Sequence, residues 1–312
     1  MTYSHLGNLT KQTTNRLALS LGLTLAFVIF EAISGFFSNS LALLTDAAHN
    51  LTDVIALALS WYAIRVASQP ANGRKTYGYH RAGILVALLN STTLVLISLG
   101  IFYEAYRRFM SPPEVKSGIL IGVGTIAVII NLVTAYLVHK GSDRDLNLRS
   151  AFVHLMGDVI STIGAVIAGV IIYFTGANWL DPLVSVLIGF LILYNAWAIL
   201  KDSVDILLES TPRDIDTSKL VEDVKQVYGV LGVHDLHIWS IAQNLRTMSA
   251  HILTDDVSIS AGADIQRQIN DVVYHRYRIA HATLQLECVN CAPDSLYCDI
   301  EEVDYIRQNS VG

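Results

Sequence analysis

Two short stretches carry the side chains best suited to chemistry. Thr-Asp-Ala-Ala-His-Asn-Leu-Thr-Asp (45–53) holds His49 and Asp53, and Phe-Val-His-Leu-Met-Gly-Asp (152–158) holds His154 and Asp158. Both read His-x-x-x-Asp, and residues four apart sit one turn apart on one helix face. Two such faces brought together offer two imidazole nitrogens and two carboxylate oxygens, a set that suits tetrahedral Zn2+. Two carboxylates also neutralise a divalent ion where the dielectric is low. A single pair could equally be an intrahelical hydrogen bond or a polar contact between helices. The same spacing in two separate segments points to a ligand set. Asp46, three residues before His49, could line a metal access path or could serve a structural hydrogen bond.

The segments around these residues are strongly apolar. Of 312 residues, 52% are hydrophobic and 15% charged, against about 25% charged in soluble domains. Mean hydropathy is +0.45. A membrane-spanning helix needs about 20 mostly apolar residues. Six stretches qualify, at 17–37, 41–66, 82–109, 117–139, 150–175 and 182–204. His49 and Asp53 fall in the second, His154 and Asp158 in the fifth. Ionisable groups at such depth are expensive and mark function. Asp181-Pro182 reads as the cap and first turn of the sixth helix. The start Met1–Asn15 lacks the basic-then-apolar order of a cleavable signal.

Charge gives the orientation. Eleven Lys/Arg residues stand in the N-terminal stretch, the 65–81 and 140–149 loops and the exit from the sixth span, against three on the opposite side. The positive-inside rule then places both termini in the cytoplasm. Residues 213–312 hold 8 Lys/Arg against 15 Asp/Glu, which makes the tail acidic. The net charge of −6 excludes a strongly basic nucleic-acid binder. All three cysteines lie in the tail, where a reducing compartment leaves metal ligation or free thiols open. The tail reads as helix 216–229, strands His234–Ile241 and Arg246–Leu253 about a Gln243-Asn244 turn, helix 261–278 and strand Thr283–Cys288. That αββαβ order predicts a small layered α+β domain.

Five stretches together resemble the cation diffusion facilitator family. They are Ser-Leu-Ala-Leu-Leu-Thr-Asp-Ala-Ala-His-Asn-Leu-Thr-Asp (40–53), Tyr-Gly-Tyr-His-Arg-Ala (77–82), His-Leu-Met-Gly-Asp (154–158), Asp-Pro-Leu-Val-Ser (181–185) and Val-His-Asp-Leu-His-Ile-Trp (233–239). The likeness is to bacterial zinc/cobalt/cadmium exporters and eukaryotic vesicular zinc transporters. It covers about residue 16 to 300.

The resemblance implies an α-helical membrane protein of six transmembrane helices, a transport domain over 1–210. It implies a ferredoxin-like αββαβ cytoplasmic domain over 211–312, for metal binding, dimerisation and regulation. A homodimer in the bilayer and proton-coupled export of divalent metal follow from it. His49, Asp53, His154 and Asp158 match the transport ligands. Imidazole at 49 and 154 fits a preference for Zn2+, with Cd2+ and Co2+ as further cargo. Arg81 and Glu209 match a pair that ties the end of the third span to the cytoplasmic hinge.

In the tail, His234, His251 and the Gln285 and Glu287 positions match a cytoplasmic metal site that would hold Zn2+ as a regulatory or structural ion, although some members have His then Asp where this chain has Gln285 then Glu287. His237, Cys288, Cys291 and Cys298 are added as further donors. The loop after the second span lacks the His and Asp that bind metal in some members, and the His-rich loop after the fourth span is missing. The short N-terminus and the missing loop lean toward a bacterial inner membrane.

Metal binding needs neutral His and ionised Asp, so metal and protons compete for the same atoms, which gives antiport directly. The rival reading is a non-transporting membrane metal sensor that signals through the tail. An enzyme is disfavoured, because four ligands leave no open position for a metal hydrolase.

Overall fold

The structure is a computed structural model that describes residues 25–142, 146–243 and 245–288, without the side chains at 57, 60 and 137–155. Chain contacts divide it into two units, one within Met1–Val66 and Leu85–Lys201, the other within Ala67–Ile84 and Asp202–Gly312.

The first unit is helical. Its elements are α1 (Leu25–Ser38), α2 (Leu41–Ala67), α3 (Ala82–Met110), α4 (Ser117–Ser142), α5 (Leu146–Thr175) and α6 (Leu180–Leu207). Among the described residues, α2 to α6 are long and apolar enough to cross a membrane. The expected first span is described only from Leu25, as α1. Large side chains such as Phe36, Leu96, Phe174 and Tyr194 point outward and exposed, as lipid-facing positions should. Helices α4 and α5 approach closely where they lack side chains. A Cβ on Gly124 would lie 2.7 Å from Val166, and one on Gly169 would lie 3.0 Å from Leu120. Small residues permit such backbone approach in membranes.

The N-terminus of α2 is held by another helix. Asp181, fully buried near the start of α6, accepts from the Ser40 hydroxyl and the Leu41 amide, each at 2.6 Å, and from the Ala42 amide at 3.2 Å. The sequence places Asp181 as the cap of its own helix. Its carboxylate instead satisfies the orphan amides of α2, whose start is buried and needs a partner for them. Arg108 of α3 stands 3.7 Å from the same carboxylate and donates to the Asn39 carbonyl at 2.6 Å.

The second unit holds the tail domain: α7 (Thr217–Lys225), β1 (Val230–Ala242), β2 (Leu245–Thr254), α8 (Ile259–Tyr277) and β3 (Ile279–Glu287). Asp216 caps α7 by accepting from the Ser218 and Lys219 amides. The helix stops earlier than the sequence predicts, because Gly229 at φ +90° turns the chain into β1. The turn expected at Gln243-Asn244 includes Asn244, which lies outside the described residues.

The sheet runs in the order β1-β2-β3. β1 pairs β2 antiparallel and β2 pairs β3 parallel, with α8 as the crossover. Alternate residues of the sheet meet one face of the helices. Leu220, Val224, Leu236, Ile238, Met248, Ile252, Ile269 and Val273 form its buried core. The αββαβ order read from the sequence is the order observed, a small mixed sheet with helices.

Candidate metal sites

The first site lies between α2 and α5 in the helical unit. The i,i+4 spacing puts His49 and Asp53 on one face of α2. His49 Nε2 lies 3.7 Å from Asp53 Oδ2 and 3.5 Å from Asp158 Oδ1 of α5. His49 and Asp158 are buried, and the Asp53 side chain is about a third exposed. The structure thus brings together three of the four expected ligands. His154 is carried by α5 one turn before Asp158, but its side chain lies outside those described.

A polar surround supports this cluster. The Thr162 hydroxyl, one turn after Asp158, donates to the Asp158 carbonyl at 2.7 Å and stands 3.2 Å from Asp46 Oδ2. Asp46 is buried, and its carboxyl meets that of Glu31 on α1. Asn50 of α2 donates to Glu31 at 3.5 Å. One oxygen of Glu31 and one of Asp46 find no donor among the described residues. Glu31 is fully buried. Its partners come from the next helix, at positions that no local pattern announces.

The second site is in the tail. His234 of β1, its cross-strand partner His251 of β2 and Glu287 of β3 bring one ligand atom each to within 4.8 Å of one another. His234 Nε2 is 3.1 Å from Glu287 Oε2, and His251 Nδ1 is 3.1 Å from Glu287 Oε1. Gln285 donates to Glu287 Oε1 at 2.7 Å. His234 is buried and the other two are half-buried, so a bound ion would be shielded yet reachable. Two imidazoles and a carboxylate are a donor set of the kind that holds Zn2+, which takes four ligands.

The other expected tail donors stand apart. His237 is outside this group, 3.1 Å from Asp235 Oδ1. Cys288 is exposed and free, and it is not part of the group. Cys291 and Cys298 lie outside the described residues.

Strand alternation sends Asp235 to the face opposite His234, so the sequence gives it no role. In the structure a bulge intervenes. Three steps on β1 from His234 to His237 match two on β2 from His251 to Ser249, and Asp235 takes a left-handed φ of 47°. Asp235 Oδ2 then comes 3.4 Å from His251 Nε2.

Near the junction of the sequence segments, Arg81 donates to Glu209 at 2.8 Å. Arg213 pairs with Asp205 at 2.7 Å and Asp202 at 3.1 Å.

Comparison with known proteins decides what these helices and clusters belong to. Residues 17–208 match the cation efflux transmembrane domain, and residues 212–289 match the cytoplasmic domain of cation efflux proteins. The chain belongs to the cation efflux family. It is a multi-pass membrane transporter that carries metal cations out, and it is not an enzyme.

Among its relatives, a cadmium, cobalt and zinc/H(+)-K(+) antiporter of Bacillus subtilis is 40% identical over 87% of this chain and 88% of that one. A zinc transporter ZitB of Yersinia pseudotuberculosis is 38% identical over 90% of each chain. The metal-bound C-terminal domain of the CzcD transporter from Cupriavidus metallidurans is 22% identical in its solved structure. It covers 23% of this chain and 99% of its own, at a TM-score of 0.22.

Proposed function

We propose that this cation efflux protein exports Zn2+, with Cd2+ and Co2+ as further cargo, in exchange for protons. His49, Asp53, His154 and Asp158 form the transport site. The observation that carries the reading is the placement of His49 Nε2 between two carboxylates, at 3.7 and 3.5 Å, in a buried position between two membrane helices. A proton on the imidazole and a metal held by the imidazole and carboxylates are alternative occupants of the same atoms. Zinc entering from the cytoplasm displaces protons, and protons entering from the far side displace zinc. The names of the relatives support the reading, since one pairs cadmium, cobalt and zinc with H(+) and K(+) and another names zinc alone.

Residues 1–210 act as the transport domain and 211–312 as a cytoplasmic domain that dimerises and regulates. Both termini face the cytoplasm of a bacterial inner membrane. His234, His251 and Glu287 bind regulatory Zn2+, and the mutual reach of their ligand atoms supports this. The test is zinc-driven proton flux in proteoliposomes. His49→Ala and Asp158→Ala are each expected to reduce it to the background of empty vesicles. Flux at the wild-type rate in either variant would overturn the assignment.

A further inference from the structure

Three observations around Asp235 converge on one role. Its backbone sits at φ 47°, a conformation that side chains rarely adopt. The strand bulges at this residue, which turns a side chain that alternation would send to the other face toward β2. Its two carboxylate oxygens meet two histidines, Oδ1 at 3.1 Å from His237 Nε2 and Oδ2 at 3.4 Å from His251 Nε2.

His251 is therefore approached from both ring nitrogens by carboxylates. Its Nδ1 faces Glu287 at 3.1 Å, within the group shared with His234. Its Nε2 faces Asp235. A neutral imidazole carries one N–H, so a ring that binds metal through Nδ1 must keep its proton on Nε2. A carboxylate on that N–H fixes the tautomer and the ring orientation and makes the coordinating nitrogen more basic.

We propose that Asp235 is the positioning carboxylate of the tail zinc site, holding His251 with Nδ1 toward the metal position it shares with His234 and Glu287. This rests on the reading of that cluster as a zinc site. It also gives His237 a place. His237 is not a ligand; it occupies the second oxygen of Asp235 and keeps that carboxylate aimed. Asp235 then sets the affinity of the tail, and so the cytosolic zinc level at which the tail responds.

The competing explanation is that an aspartate stands here only because the bulge needs a residue tolerant of positive φ. Glycine meets that need better than aspartate, so Asp235→Gly separates the two. Zinc binding is measured by equilibrium dialysis on the full-length chain in detergent, in a His49→Ala/Asp158→Ala background that removes the transport site. Thermal midpoints are taken without metal. Asp235→Gly is expected to weaken tail binding about 10- to 100-fold, with the metal-free midpoint unchanged or raised.

Wild-type affinity in Asp235→Gly would overturn the proposal. If the glycine variant loses its fold, Asp235→Asn decides. It keeps the shape and the tolerance of positive φ but not the charge, so weakened binding supports the role and wild-type binding overturns it. His251→Ala tests the underlying site separately. Loss of tail binding there upholds the zinc site, and unchanged binding overturns both readings together.

Discussion

At the scale of single residues, the proposed transport cluster turns on ligand softness. Imidazole favours Zn2+ over harder ions, while carboxylates accept Mn2+ and Mg2+ more readily. His49→Asp exchanges one nitrogen for oxygen at a position already flanked by Asp53 and Asp158. Zinc transport should lose about tenfold in kcat/KM, the equivalent of about 1.4 kcal/mol, and Mn2+ flux should appear. Parallel Zn2+ and Mn2+ uptake in the same vesicles checks this, and an unchanged metal ranking would show that residue 49 does not set it. The shared face of His49 and Asp53 was legible because a four-residue spacing on a helix fixes it without any tertiary knowledge. Asp235 was not legible. The period of a strand is two only while the strand is regular, and a bulge of one residue redirects a side chain with no signature in the local sequence.

At the scale of elements, the helix that carries His49 and Asp53 is fixed at its start by a residue 140 positions away. The buried Asp181 carboxylate offsets the positive end of α2, satisfies two of its amides and faces Arg108. Asp181→Ala would leave those amides and the Ser40 hydroxyl without their acceptor and take one of the carboxylates facing the mostly buried Arg108, which keeps Glu104 and the Asn39 carbonyl. Breaking such a buried pair costs about 3–5 kcal/mol. The detergent-solubilised protein should show a clearly lower melting midpoint, with Asp181→Asn falling between it and wild type. Equal midpoints for Asp181→Ala and wild type would mean that α2 is anchored elsewhere. The sequence told that Asp181 begins a helix. It could not tell that the carboxylate serves a different helix, because capping between helices depends on how their ends meet and not on neighbours in the chain. By contrast, Arg81–Glu209 joins two exposed groups at 2.8 Å. Such a pair contributes about 0–1 kcal/mol at most, so Glu209→Gln should leave the midpoint almost unchanged, and a change in transport would be the sign of the proposed hinge role.

At the scale of the whole molecule, the two units respond to pH for different reasons. In the tail, the Tyr277 hydroxyl at 2.7 Å and the Arg276 guanidinium at 2.6 Å hold the Asp223 carboxyl below the usual carboxylate range. Arg246 does the same for Asp214. A group whose pKa is lowered by folding stabilises the fold above its unfolded value, about 3.9 for Asp, and that contribution is lost as pH falls through the lower folded value. Burial, then the bond to Asp223, pushes Tyr277 up to about 12. Its contribution has the opposite sense, being complete below its unfolded value near 10 and lost as pH rises through about 12.

The tail should therefore be most stable between these limits and melt at its acid edge below about pH 4. Asp223→Asn removes one of the two depressed carboxyls and also the charge that helps raise Tyr277, so it should flatten the acid limb and weaken the alkaline one. The check is the thermal midpoint of the full-length protein against pH, read by hydrogen exchange at tail amides so that the membrane helices do not contribute. An acid limb in Asp223→Asn as steep as in wild type would assign the loss to other carboxyls. Zinc at the His234–His251–Glu287 cluster should add its own dependence, since its imidazoles must be neutral to bind. A metal-induced rise in tail protection should be present at neutral pH and weaken under acid, because protons compete with zinc for the ligand atoms, and a rise independent of pH would count against that competition. On the proposed function, both sites rest on the same competition between a proton and a cation for imidazole nitrogen, so acid should weaken metal binding at each.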